Sequence, residues 1–126
     1  ISTMPSIAII GASANRAKFG NRCVRAYQKL GWQVFPVNPK DPEIEGIKCY
    51  PSLGELPQKP DRVSIYLPPQ VTVSIIPELL QAGIKSVILN PGAESDELIK
   101  TLRDNGINPQ MVCSIRTEGL DPADFK

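Results

Sequence analysis

A chain of 126 residues with 41% hydrophobic side chains and a net charge of +1 suits one domain that buries its own core without metals or disulfides. Its 14 basic and 13 acidic residues are spread along the chain, which argues against a face built for nucleic acid or an anionic membrane. It contains no histidine, so an imidazole base, a phosphohistidine and a histidine metal ligand are all excluded within it.

The first predicted element is a strand over Ile7–Ile10, four apolar residues in a row, as a strand buried on both faces would show. Gly11 ends it, and a small, polar and basic loop leads to a helical pattern that starts near Gly20. Val24, Ala26, Tyr27 and Leu30 give that helix its apolar stripe, and Gly31 closes it. Gln33–Val37 reads as the second strand, and Pro36 places it towards a sheet edge or a bulge because proline cannot donate to a ladder. A turn-rich loop follows over Asn38–Pro42, then a short extended piece within Ile44–Tyr50 and a helical turn at Ser52–Leu56.

Arg62–Leu67 is the third clear strand and stops at Pro68-Pro69. The helix after it covers Val71–Ala82, with Pro77 expected to kink it or to mark its true first turn. Ser86–Leu89 is the fourth strand. Ser95 or Asp96 then caps a helix that turns Leu98, Ile99 and Leu102 inward and stops before Gly106. Gln110–Cys113 reads as the last strand, and the tail from Arg116 to Lys126 as a short helix or a frayed end. The order is βα four times with a closing β. It implies an α/β fold: a single Rossmann-like domain over residues 1–126, a five-stranded, mainly parallel sheet with helices on both faces, and residues 1–5 as a flexible N-terminus.

In such sheets ligands lie beyond the carboxyl ends of the strands. Gly11, Ala12, Ser13, Ala14, Asn15, Arg16 and Lys18 make a strand–turn–helix junction suited to phosphate: glycine allows close backbone approach, the helix start has unpaired N–H groups, and two cations stand in the loop. The full G-x-G-x-x-G fingerprint is absent, since Ser13 stands at the second glycine position and Arg16 at the third. At the end of the second strand, where NAD-binding domains carry a carboxylate for the ribose, this chain has Asn38, Pro39 and Lys40. A cation there suits a phosphorylated ribose, which leaves NADP or a 3′-phosphorylated adenosine such as coenzyme A. The missing glycines weigh against NADP.

Gly11-Ala-Ser13 with Lys18-Phe-Gly20, then Pro36-Val-Asn-Pro39, Tyr50-Pro-Ser52, Pro68-Pro69 and Asn90-Pro-Gly-Ala-Glu94 stand in the same order as in a known group. On these residues the chain resembles the small, stand-alone CoA-binding domain proteins, which are similar to the nucleotide-binding half of the succinyl-CoA synthetase α subunit. The resemblance runs from Ser6 to about Cys113. It implies coenzyme A or an acyl-CoA lying extended across the strand ends. Ser13 to Arg16 would meet the pyrophosphate, and Lys40 the adenosine end. Pro68 and Pro69 would flank the middle of the ligand, and Asn90, Pro91 and Gly92 would lie towards the pantetheine arm. Lys18 matches a basic loop position of the family. The synthetase relatives use a histidine in a second domain; this chain has neither, so ligase activity does not carry over.

The three cysteines, Cys23, Cys49 and Cys113, form no C-x-x-C pair and suggest neither zinc nor a disulfide framework; they fit a cytoplasmic protein with reduced thiols. Cys113 alone is expected at the rim of the site. No apolar run reaches the length of a membrane span. The sequence therefore points to a CoA-binding protein without catalysis of its own, acting as carrier, sensor or accessory subunit to a protein partner or as a homo-oligomer. An enzyme module handling acyl-CoA or NADP, and an interaction module with an empty pocket, are the alternatives.

Overall fold

The computed structural model describes residues 4–126, so part of the expected flexible N-terminus, residues 1–3, lies outside the described residues. Five parallel strands form the main sheet: β1 (Ser6–Ile10), β2 (Gln33–Val37), β5 (Arg62–Ile65), β6 (Ser86–Leu89) and β7 (Asn108–Gln110), in the order β2-β1-β5-β6-β7. Between β2 and β5 a small antiparallel hairpin, β3 (Glu43–Ile44) and β4 (Ile47–Lys48), precedes a single 3-10 turn at Leu53–Glu55. The helices are α1 (Phe19–Lys29), α2 (Pro69–Gln81) and α3 (Asp96–Asp104). This is a Rossmann-like α/β domain in which strand order reverses between β1 and β5.

Alternation along β1 divides the core in two. Ile7 and Ile9 pack with Cys23, Val24, Ala26 and Tyr27 of α1, whereas Ala8 and Ile10 pack with Ile76 and Leu79 of α2 and Leu98 and Leu102 of α3. All five β1 residues are buried, which explains the unbroken apolar run. Each fully buried Leu or Ile adds about 1.5–3 kcal/mol from apolar surface withdrawn from water. The face that α1 leaves open is closed by the tail, not by a further helix. Ile115 is completely buried, and the segment ends in two 3-10 turns, Arg116–Glu118 and Pro122–Phe125, the second packed on α1.

The second crossover is a hairpin and one 3-10 turn, in keeping with the extended piece and helical turn expected there, because the segment is short and broken by Pro42, Gly46, Pro51 and Pro57. One expectation needs correction. The last strand is Asn108–Gln110 and not Gln110–Cys113. Ile107, buried and bonded through its N–H to Leu102 O, brings the chain straight from α3 into the sheet, while Met111 and Val112 stay exposed. Elsewhere Ser95 does cap α3, its Oγ accepting from Leu98 N at 3.1 Å. Pro77 lies inside α2 on its exposed side.

Both edge strands contain a proline, and each ring nitrogen faces away from the sheet. In β2 the amide of Gln33 donates to Pro5 O and the carbonyl of Val37 accepts from Gly11, so odd positions face inward and Pro36 faces outward, where its carbonyl accepts from Tyr50 N. In β7 Asn108 donates inward to Lys85 O, leaving Pro109 outward.

Candidate functional site

A cleft of about 960 Å³ opens at the carboxyl ends of β1, β2 and β5, near the upper end of the roughly 300–1,000 Å³ of small-molecule sites. It sits where strand order reverses, as expected for a doubly wound sheet. Among the described residues no group of His, Cys, Asp and Glu could hold a metal ion.

Two glycines make its floor. Gly11 leaves β1 at φ +89°, and a β-carbon there would lie 2.9 Å from the backbone of Tyr66. Gly20 begins α1 against it: a β-carbon there would stand 2.6 Å from the Gly11 carbonyl oxygen. The close helix–strand contact that the third fingerprint glycine makes in dinucleotide sites thus falls here to Gly20, four residues later than Arg16.

The intervening loop separates donors from acceptors. Four of its carbonyls are taken: Ala12 O by Asn38 Nδ2 at 2.7 Å, Ser13 O by Asn21 Nδ2 at 2.8 Å, Arg16 O by Arg25 Nη2 at 2.8 Å, and Asn15 O by Lys18 N at 3.1 Å. Among the described residues, the N–H groups of Ala12, Ser13, Ala14, Arg16, Phe19 and Gly20 have no protein acceptor. Lys18 in extended conformation precedes α1 with no side-chain cap, and no acid occupies the helix's first turn. Unpaired amides at a helix start, with carbonyls drawn off, attract anions. The start of α2 is different, because Pro68 and Pro69 bring no N–H at all and make an apolar wall with Leu67, Val71 and Ile75.

Of the residues expected in the site, Gly11, Ala12, Ser13, Lys18, Asn38, Pro39, Lys40, Pro68, Pro69, Pro91 and Gly92 line the cleft. Ala14, Asn15, Arg16 and Asn90 do not. Asn15 shapes the loop by accepting from Ala17 N through Oδ1 at 3.0 Å. Arg16 turns to Glu45 on the hairpin, Nε to Oε2 3.5 Å. Asn90 is buried beneath the cleft: its Nδ2 donates to Ser64 Oγ and Ile65 O, and its Oδ1 accepts from Ser114 N, fixing the tail to β5 and β6. Lys18 and Lys40 join no ion pair among the described residues. The two lining acids are occupied, Glu78 by Gly54 N at 2.8 Å and Asp41 by Asn38 Nδ2 at 3.2 Å.

Sequence reasoning missed the apolar wall, notably Leu53, Val71 and Ile75, and the platform of Phe19, with Arg22 stacked 4.5 Å above its ring centre. The helical spacing of Val71, Ile75 and Glu78 was the available signal. Behind the cleft, burial pushes the Cys23 thiol up to about 12 and raises Tyr66, whose hydroxyl is buried. Cys113, half-buried, packs against the α1-side core and does not line the cleft, contrary to its expected place at the rim.

Residues 5–119 match the model of a family described as a CoA binding domain. Over 94 residues the chain is 33% identical to an ADP-forming acetate–CoA ligase II of Archaeoglobus fulgidus, covering 73% of this chain but 14% of the ligase. A second ADP-forming acetate–CoA ligase, from Methanocaldococcus jannaschii, is 34% identical over 71% of this chain and 13% of its own length. The chain thus spans about one seventh of these relatives. Among solved structures, a conserved hypothetical protein of Pyrococcus furiosus superposes with a TM-score of 0.78 at 39% identity, over 85% of this chain and 92% of that one.

Proposed function

Because the chain belongs to the CoA binding domain family, we propose that coenzyme A or an acyl-CoA lies in the cleft with its diphosphate on the Gly11–Lys18 loop. The observation that carries this reading is a division of labour: four free amides in the loop and two at the start of α1, four engaged loop carbonyls, and Lys18 beside them. The adenosine end then falls at Pro39 and Lys40, the latter offering its charge to the 3′-phosphate. The ligand's middle runs along Pro68, Pro69 and Val71, and the pantetheine arm points towards Pro91 and Gly92. On this reading the role is binding, as a carrier, a sensor or an accessory subunit. The likeness to the two ligases favours a second reading, in which the domain presents acyl-CoA to chemistry housed elsewhere.

Thermal unfolding with CoA, dephospho-CoA, NAD and NADP tests both at once. A ligand bound only by the native state raises the midpoint by mass action. CoA should raise it most and dephospho-CoA less. A larger rise with NADP than with CoA would overturn the assignment, and no rise with any of them would leave the cleft without this function.

A further inference from the structure

The anion-binding shape of the Ser13–Arg16 loop is imposed from outside it. Asn21, on the first turn of α1, is completely buried, and all its polar capacity is directed at three separate segments. Its Nδ2 donates to Ser13 O at 2.8 Å and to Glu45 Oε2 at 3.1 Å, while its Oδ1 accepts from Arg25 Nε at 2.7 Å. That last bond orients the Arg25 guanidinium, whose Nη2 reaches Arg16 O at 2.8 Å and also Phe125 O. One buried amide therefore fixes two of the loop's four engaged carbonyls, one directly and one through Arg25.

We propose that Asn21 is the positioning residue of the anion site: it draws the Ser13 carbonyl away from the cleft so that the Ala14 amide of the same peptide faces a diphosphate, and through Arg25 it holds the Arg16 carbonyl, whose peptide partner Ala17 N is kept by Asn15 Oδ1. The inference rests on the reading of this loop as the diphosphate site. The physical ground is the sign of the peptide dipole. A carbonyl released from its donor is free to swing its negative end towards the bound anion, and the amides that follow turn away with it. An asparagine is otherwise a poor choice here, being a weak helix former and costly to bury without partners, whereas an apolar residue would fill the same space. Asn38, just after β2, holds the adjacent Ala12 O, so two asparagines from different elements hold the loop. Glu45 adds a consequence: sharing Asn21 Nδ2 and pairing with Arg16, it ties the hairpin tip to the same frame.

The test is calorimetric titration of the full chain with CoA and with dephospho-CoA, for wild type, Asn21→Leu, Asn21→Asp and Arg25→Ala, each checked for folding by circular dichroism. Wild-type binding comes first, since its absence removes the underlying reading, whatever the variants do. Given that binding, folded Asn21 variants should lose about tenfold or more in affinity, and by the same factor for both ligands, because the loop does not hold the 3′-phosphate. Arg25→Ala, which frees Arg16 O alone, should lose less. The Ser13 and Ala14 amide resonances should shift in unligated Asn21→Leu. Folded Asn21 variants with wild-type affinity overturn the proposal. So does a role confined to stability, seen as a lowered unfolding midpoint with unchanged affinity. If neither Asn21 variant folds, Arg25→Ala decides, and unchanged affinity there sinks the idea.

Discussion

Gly20 rests on the carbonyl of Gly11 with no space between them: a β-carbon on Gly20 would stand 2.6 Å from that oxygen and 3.3 Å from Ala12 Cα. Both obstacles are backbone, so no side chain can swing aside to relieve the overlap. Gly20→Ala should cost about 1–3 kcal/mol, the range for overpacking a tight site, and should weaken CoA binding because the loop has to move. Gly92→Ala is the comparison. Its backbone has φ +94° but nothing lies within 4 Å of the added carbon, so it should cost only the conformational strain, about 1 kcal/mol. Urea unfolding of both variants ranks them, and equal losses would show that the Gly11–Gly20 contact is not tight in solution.

The two cations of the loop should prove unequal. Arg16 already pairs with Glu45 and lies off the cleft, whereas Lys18 lines it without an ion pair among the described residues. Lys18→Ala should therefore weaken CoA by about 1–3 kcal/mol, as for a lost charge-assisted contact, and Arg16→Ala by less than half of that. Titration at low and moderate salt measures both. A larger loss from Arg16→Ala would mean that the arginine leaves Glu45 for the ligand.

Lys40→Ala separates CoA from dephospho-CoA. With the lysine at the 3′-phosphate, the substitution should reduce CoA affinity by about tenfold or somewhat less and narrow the gap between the two ligands. Competition binding reads that gap directly. An unchanged gap would move the 3′-phosphate elsewhere in the cleft.

Cys23 sets an alkaline limit. Burial raises its thiol from the ordinary 9.0 to about 12, so the folded chain keeps a proton that the unfolded chain releases near 9. Between those values the unfolded state binds fewer protons, and stability falls as pH rises. Tyr27 and Tyr66, also raised chiefly by burial, act in the same direction from about 10 upward. Denaturant titrations from pH 8 to 11 should show the decline, and Cys23→Ala should reduce its first part, to which Cys49, also raised chiefly by burial, adds. A thiol reagent at neutral pH should modify Cys113 well before Cys23, which is fully buried. Equal rates for the two would contradict the burial.

Much of this fold can be read from periodicity and punctuation. The run Ile7–Ile10, the Gly after each helix and the Ser95 cap gave four of the five main strands and all three helices to within a few residues, because each is a local signal. The last strand was misplaced because Asn108-Pro109 looks like a turn and Gln110–Cys113 like a strand; what decides is the outward-facing edge position, a tertiary fact that tolerates proline. The same limit applies to the site. Gly11 and the two lysines were visible as residue types, but nothing local shows that Asn90 bonds downward to Ser64 or that Asn21 bonds back to Ser13. Asparagine in a Gly-Pro-rich loop looks like a ligand, and asparagine in a helix looks like a surface residue. Here the side chains do the reverse, Asn90 joining the tail to the sheet and Asn21 holding the loop.

The outward prolines of β2 and β7 bear on how this domain meets other chains. A free sheet edge is a template on which an extended peptide or a second copy can add itself, ladder on ladder. Pro36 and Pro109 each remove an outward donor from such a template, and Tyr50 N already occupies Pro36's own carbonyl. The sheet is therefore finished at five strands. Growth of the sheet by strand addition is thus disfavoured at both margins.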